Sequence, residues 1–433
     1  MNKAAAMRTI EKVLAMASAG ETLVSLAGGP EATTRVADNV ITQNVYKETV
    51  RLSITCAYGK SHGTASTSDI SDRGLRSVVA RAQAIASLSP PDPEYMPFLP
   101  AGETRKYLKI NAYAKRTADL DPKTKARALA SAAGKIRTLK MRLSGAFNTS
   151  AWFIAVGNSA GLRAYDRQSF ADAHLTVLGR TGSGWAQKLS YDAADIDLAR
   201  IAAEAAQTAR KSENPGGVEA GKYSVIMSPA AVGDLLEFVF YLLSAKAADE
   251  GRSFLRGKLG KRIFGRNINI WTDPSDPRCP RMPFHGDGMG RRTIDWFRNG
   301  VVANLNYSRF WARKKRKKPT GWPCNIIMEG GASSVEDMIS ETKLGLLISR
   351  FWYIRYVDEM IPSVTGMTRD GLFLIRDGKI VKPVRQMRFN ENMVSVLNRV
   401  ESLGEPRLAG ETGMTCVPPL KVRDFNFTST TKF

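Results

Sequence analysis

The chain has 433 residues, 43% of them hydrophobic and seven of them tryptophan, so it exceeds what one hydrophobic core organises and reads as two globular domains rather than a disordered chain. Its 63 Lys and Arg against 41 Asp and Glu give a net charge of +22, a balance that suits an anionic partner. No apolar run reaches the roughly 18 residues of a membrane-spanning helix, and four scattered cysteines without a CxxC pair suggest neither a disulfide framework nor a cysteine zinc knuckle.

The first stretch, "MNKAAAMRTIEKVLAMASAG", spaces Ile10, Val13 and Leu14 as a helix does and interrupts them with Arg8, Glu11 and Lys12. A secretory leader tolerates no such charges in its apolar region, so a cytoplasmic location is expected. "TVRLSITCAYG" alternates Val50, Leu52, Ile54, Cys56 and Tyr58, which predicts a half-buried strand. "SDRGLRSVVARAQAIASL" sets Leu75, Val78, Val79, Ala82 and Ile85 on one helical face, and the proline-rich "PPDPEYMPFLP" is an extended connection. "DPKTKARALASAAGKIRTL" opens with Asp121 as N-cap and Pro122 at the first helical position. "AWFIAVGNSAGLRAYDRQSFADAHLTVLG" reads as successive antiparallel strands, and "DIDLARIAAEAAQTARKS" as a closing helix.

A helix stop followed by "ENPGG" places a domain boundary between residues 1–215 and 216–433. Beyond it, "KYSVIMSP" is a strand that leads into a helix expected over residues 228–251. Short strands then dominate: "INIWTDP", "IDWFRNGVV", "LLISRFWYIRYVD", "GLFLIRDGKIV" and "PVRQMRFN". "RDGK" carries an Asp-Gly hairpin turn. The fold class is therefore α+β, an N-terminal α/β domain joined to a C-terminal domain of mainly antiparallel sheet.

Three local patterns invite chemistry. "GNSAG", residues 157–161, matches the GxSxG elbow of Ser hydrolases, with His174 as the partner that Ser159 would need. That elbow must turn from strand into helix, whereas strand follows here, so a strand-turn-strand corner is the better reading. "GDGMG", residues 286–290, lacks the strand before and helix after that a phosphate loop requires, and His285 beside it has no evident partner. The run "RKKRKK", residues 313–318, follows the aromatics of "NYSRFW" and suits single-strand binding by phosphate contact and stacking. A solvated loop ahead of Pro319 is the favoured reading.

The helix over residues 228–251 says more. Leu235, Leu236, Val239, Leu242 and Leu243 recur at helical spacing, and Glu237 and Tyr241 share a face one turn apart. Two histidines so spaced hold zinc, with a glutamate between them as base for the metal-bound water. A lone carboxylate and a phenol do not.

Taken with "NSAG", "GSGW", "PAAVGDLL", "PFHGDGMGRRT", "NGVVANLNYSRFWARK", "ETKLGLLISRFWYIRYVD", "RDGLFLIRDGKIVKPVRQMRFNENMVSVLNRVESLG" and "PPLKVRDFNFTS", the chain resembles the TldD/TldE family, also called PmbA or modulators of DNA gyrase, over nearly its whole length. Members of the TldD type carry HExxxH on this helix. Against that motif the first histidine falls at Glu237, its glutamate at Phe238 and the second histidine at Leu242, next to Tyr241, so the chain looks like the TldE type, whose metal motif is lost. The family's further cysteine ligand has only Cys416 as counterpart here, at a spacing to "PPLKV" that is too short.

The resemblance implies a non-catalytic subunit with no cofactor of its own, inactive as an enzyme alone. Its expected partner is a TldD-like HExxxH metalloprotease subunit that supplies the zinc. The heteromer encloses and processes unfolded or modified peptides, bound as extended strands. Arg291, Arg292, Arg309 and Arg313 are the candidates to line the peptide cleft. Two other readings stay open: a partner-independent basic protein that binds peptides or nucleic acid on the same scaffold, and an independent hydrolase using Ser159 or His285. Nothing points to a membrane.

Overall fold

Long alternating stretches in the first half can bury one face only by pairing, and they do so in a single antiparallel sheet. The computed structural model describes residues 1–410 and 415–431. Its first sheet comprises β1 Glu21–Ala37, β2 Val40–Tyr58, β3 Ser61–Thr67, β4 Arg142–Asn158, β5 Arg163–Leu178 and β6 Ser183–Ser190, in the order β3-β2-β1-β4-β5-β6. Asp38 and Asn39, both at positive φ, turn β1 into β2, as a two-residue hairpin that follows the strand twist requires.

Five helices accompany this sheet: α1 Lys3–Met16, α2 Asp72–Leu88, α3 Lys115–Ala118, α4 Pro122–Thr138 and α5 Leu198–Lys211. Ile10, Leu26, Ile54 and Val78 close one core with α1 and α2. Leu129, Leu143, Leu175 and Ala205 close another with α4 and α5. Asp121 caps α4 by accepting from the Thr124 amide at 3.0 Å, with Pro122 at the first position. One expectation for α2 fails. Ile85 is 45% exposed, and Ala86 takes the buried place because Gly63 of β3 approaches the helix backbone there.

The second half holds β7 Gly221–Met227, α6 Pro229–Phe240, α7 Ala245–Asp249, β8 Ile270–Thr272, β9 Ile294–Arg298, β10 Val301–Val302, α8 Arg309–Lys314, β11 Ile326–Met328, β12 Leu344–Asp358, β13 Ser363–Arg376, β14 Lys379–Pro383, β15 Met387–Asn392, β16 Val400–Leu403, β17 Arg407–Ala409, β18 Thr415–Val417 and β19 Leu420–Thr430. β7 pairs with β12 and with β19, β12 with β13, β13 with β15, and β15 with β19. The pairing returns to its start, so these five strands close into a barrel. Phe351, Phe389, Phe425 and Phe427 pack together with ring centroids 4.6–5.7 Å apart. A smaller sheet runs β10-β9-β8-β11-β18-β17. Among the described strands, β7–β12 and β11–β18 are the parallel pairs. The fold is α+β with antiparallel pairing dominant.

The helix expected over residues 228–251 is two helices. Leu242 and Leu243 donate to Val239 and Phe240, a tightened last turn, and Ser244 then accepts from the Ala247 amide at 3.2 Å to cap α7. Serine competes for backbone amides and favours a cap over a helix interior, so the chain restarts there.

Candidate functional site: an aromatic and arginine cleft at the junction of the two halves

β6, α6 and β12 converge on a cleft of about 400 Å³. β6 is the last strand of the first sheet and contributes Trp185 and Gln187; α6 contributes Asp234, Glu237 and Phe238, followed by Tyr241; β12 contributes residues 350–355, and Gly410 completes the wall. Ser228 caps α6 through the Ala231 amide and donates its hydroxyl to the Ser349 carbonyl. This contact turns the chain away from β12. β7 accordingly pairs with β12 only as far as Ile348. Among the described residues, 350–358 of β12 have a strand partner on the β13 side alone, so one backbone edge borders the cleft.

Side chains along that edge are large and polar-tipped. Arg350 lies 4.8 Å over the Trp185 ring and 5.4 Å over Trp352, and Arg369 lies 4.6 Å over the other side of the same ladder at Trp352. Nε and Nη2 of Arg350 both donate to the buried Asp370 carboxylate. Arg355 lies 4.4 Å over Tyr353. Tyr353 has φ +55 where the β12–β13 register slips, and it is 62% exposed. A bulky residue at positive φ costs of order 1 kcal/mol and persists only where its surroundings enforce it. On the helix side the Tyr356 hydroxyl donates to the Phe238 carbonyl, and burial pushes that phenol well above its usual range. Tyr241 stands at the end of α6, 64% exposed.

A zinc centre needs at least three converging N, S or O donors. The helix face offers Asp234, Glu237 and Tyr241, while the guanidinium groups of Arg350 and Arg355 line the same space. Among the described residues no group of three or more His, Cys, Asp or Glu is placed to hold a metal ion. This donor set does not fit zinc.

The remaining sequence candidates lie elsewhere. Ser159 sits in the turn between β4 and β5 and accepts from the Thr22 amide at 3.0 Å. His174 faces Ala146 toward the other end of that hairpin, roughly 35 Å away at about 3.3 Å per residue, and it contacts Asp172 at 3.0 Å. The two do not form a catalytic pair. His285 packs against Gly321, and burial together with the nearby Arg291 charge lowers its pKa to about 3. "GDGMG" is a turn. Cys416 is fully buried with Cys279 and Ile327, outside the cleft lining.

The four arginines are not brought together at the cleft. Arg291 Nε donates to the Phe284 carbonyl at 3.0 Å. Arg309 Nη2 donates to the Pro97 carbonyl at 2.5 Å and Nη1 lies 3.6 Å from Asp287, tying the second half to the proline-rich connection. Arg292 donates to the Pro319 carbonyl at 2.9 Å, and Arg313 is exposed on α8. None of the four lines the space beside Glu237. The residues that do, Trp185 and the group from Arg350 to Arg355, went unmarked in the sequence. The signal for the second group was a strand, "SRFWYIRYVD", in which Trp, Tyr and Arg replace a clean apolar-polar alternation.

Three stretches of the chain match the PmbA/TldA metallopeptidase domains: domain 1 over residues 31–86, the central domain over 114–213 and the C-terminal domain over 220–429. The chain belongs to the PmbA/TldD metallopeptidase family. It is 22% identical to metalloprotease PmbA of Escherichia coli O157:H7 over 424 residues, covering 93% of this chain and 91% of that protein. It is 25% identical over 291 residues to a Methanocaldococcus jannaschii protein, covering 61% of this chain and 66% of that relative, just under two thirds of its length. The crystal structure of TldE from Thermococcus kodakarensis superposes with a TM-score of 0.89 at 18% identity, covering 98% of this chain and all of the other. At that identity the likeness speaks for the fold.

Proposed function

We propose that this chain is the non-catalytic subunit of a two-component PmbA/TldD-type zinc metallopeptidase in the cytoplasm. In this reading it holds an extended peptide while an HExxxH-bearing relative supplies the zinc. The observation that carries the reading is the cleft itself: an unpaired stretch of β12 faces the helix that bears the metal motif in catalytic relatives, and here that helix carries Glu237, Phe238 and Tyr241. An open strand edge offers main-chain hydrogen bonds to an incoming strand of any sequence. Trp185, Trp352 and Tyr353 add flat apolar surface on either side of it. In this role Arg350 and Arg355 orient peptide carbonyls or carboxylates, and Arg309 fixes the second half against the proline-rich connection.

The test is co-expression with an HExxxH relative, followed by size-exclusion chromatography and cleavage of unstructured peptides. Co-elution, cleavage by the mixed complex and near inactivity of each chain alone are expected. Separate elution at micromolar concentration overturns the reading, as does a relative that works equally well without this chain.

A further inference from the structure

More than half of the chain's net charge of +22 is concentrated in two short segments. Residues 252–266 and residues 313–318 each hold six basic side chains and no acidic one. Burial sorts the first segment: Phe254, Leu255 and Phe264 point inward, and five of its six basic residues are exposed. All six in the second are exposed. The nearest carboxylates are already taken, Glu250 by Arg252, Asp249 by Lys315 and Asp295 by Arg298. Arg256, Lys261, Arg266, Arg316, Lys317 and Lys318 form no ion pair among the described residues.

The backbone brings the two segments onto one face. Gly260 donates to Val302 at 2.8 Å, Val302 to Lys261 at 3.0 Å and Ile263 to Gly300 at 2.9 Å, so residues 258–263 are strapped to the β9–β10 hairpin. The second segment leaves α8 and returns beside the chain that enters and leaves this hairpin, where Thr320 donates to the Tyr307 carbonyl at 3.1 Å and Arg292 to the Pro319 carbonyl at 2.9 Å. Between them lies a cleft of about 380 Å³ bordered by Leu259, Arg292, Asn304, Tyr307, Lys317 and Lys318. Trp322 follows in the same loop and is 53% exposed.

The geometry points to this face as a binding surface for single-stranded nucleic acid, with phosphates along the two basic rows and a base stacked on Trp322. A linear polyanion with regularly spaced charge matches two rows of fixed cations, and an exposed tryptophan gives any base a sequence-tolerant platform. The helix at this face, α8, has six residues and is short for entering a duplex groove. Phe254, Leu255 and Phe264 of the first segment are turned inward, and Leu259 alone among its apolar side chains is exposed, which offers little to a lipid surface. The surface is separate from the peptide cleft and shares no lining residue with it.

Fluorescence anisotropy of labelled 20-mers of dT and of rU, titrated with the full chain, tests this. With about six phosphates neutralised, log K falls with log salt at a slope of about −4. Lys317→Glu/Lys318→Glu and Lys261→Glu/Arg262→Glu should each weaken binding at least about tenfold and flatten the slope, by the loss of phosphate contacts. Trp322→Ala should weaken it about tenfold with the slope unchanged. Lys123→Glu/Lys135→Glu on α4, with the same charge change, should alter it less than about threefold. Circular dichroism checks folding, and the milder Lys317→Gln/Lys318→Gln keeps the test valid if charge reversal unfolds the protein. Unchanged binding in the basic-face variants overturns the inference. So does equally tight binding to duplex DNA, to poly-glutamate or to phosphatidylserine vesicles.

Discussion

Arg350 of β12 stacks on Trp185 of β6 at 4.8 Å, so a single guanidinium joins the last strand of the first sheet to the barrel wall. The same group neutralises Asp370, which is 3% exposed. Arg350→Ala would therefore cut the stack and strand a buried carboxylate. Removing one member of a buried pair costs about 3–5 kcal/mol, and Arg369, 3.7 Å from Asp370, should hold the loss near the lower end, about 3 kcal/mol. Arg350→Met/Asp370→Asn, which removes the stranded charge and keeps a residue type that tolerates the φ of 54 at position 370, should recover part of it. Urea unfolding of the three proteins measures both effects.

The cleft donors lead to a prediction about metal. After loading with zinc and dialysis, well under one zinc per chain should remain by elemental analysis, because Glu237 and Tyr241 share their cleft with two guanidinium groups. One tightly held zinc per chain would contradict this. Histidines introduced at Glu237 and Tyr241 should still give no peptide cleavage by the chain alone, since Phe238 occupies the place of the base.

His285 is one contributor to the acid side of the stability profile, opposed by Asp166, whose pKa burial raises to about 6. The folded pKa of His285, about 3, lies below the ordinary value of 6.5, chiefly through burial and then through Arg291. Between those values the unfolded chain binds a proton that the folded chain refuses, so the His285 contribution to stability falls as pH drops from 6.5 towards 3. His285→Gln should remove that contribution, as read in denaturant titrations at a series of pH values. In the mixed complex, peptide cleavage by the partner should survive both His285→Gln and Ser159→Ala.

Lys125 acts with the same sign at alkaline pH. It is 1% exposed, donates to the Ala32 carbonyl at 2.6 Å and to Thr149 Oγ1 at 3.1 Å, and burial lowers its pKa to about 8. Between about pH 8 and the ordinary value of 10.5 the unfolded chain holds the extra proton, so stability rises across that window. Lys125→Met should abolish the rise, as read by thermal melts from pH 7.5 to 10.5.

Local chemistry explains which expectations carried through. The Asp121 cap, Pro122 at the helix start and the Asp377-Gly378 turn at φ 47 and 76 each depend on two or three adjacent residues. The same holds for "GNSAG" as a hairpin corner, where hydrogen bonds between Asn158 and Leu162 close the turn. The helix over residues 228–251 failed for a reason of the same kind. Ser244 was a visible cap signal inside an apolar pattern that was otherwise continuous.

The sequence by itself determined the elements, the α+β class and the residue types on the α6 face, because periodicity, caps and turns are read within a few residues. It also fixed the excess of positive charge. Only the tertiary structure decided that five strands close on themselves, because alternation marks a strand without naming its partner, and β7 finds β12 and β19 more than a hundred residues away. The same step decided that Trp185, Glu237 and Arg350 border one cleft while Arg291 and Arg309 are spent on backbone carbonyls. It decided too that two basic segments share a face. Each of these facts depends on contacts between residues far apart in the chain, and such contacts form only when buried surface and satisfied hydrogen bonds outweigh the entropy of closing the loops between them.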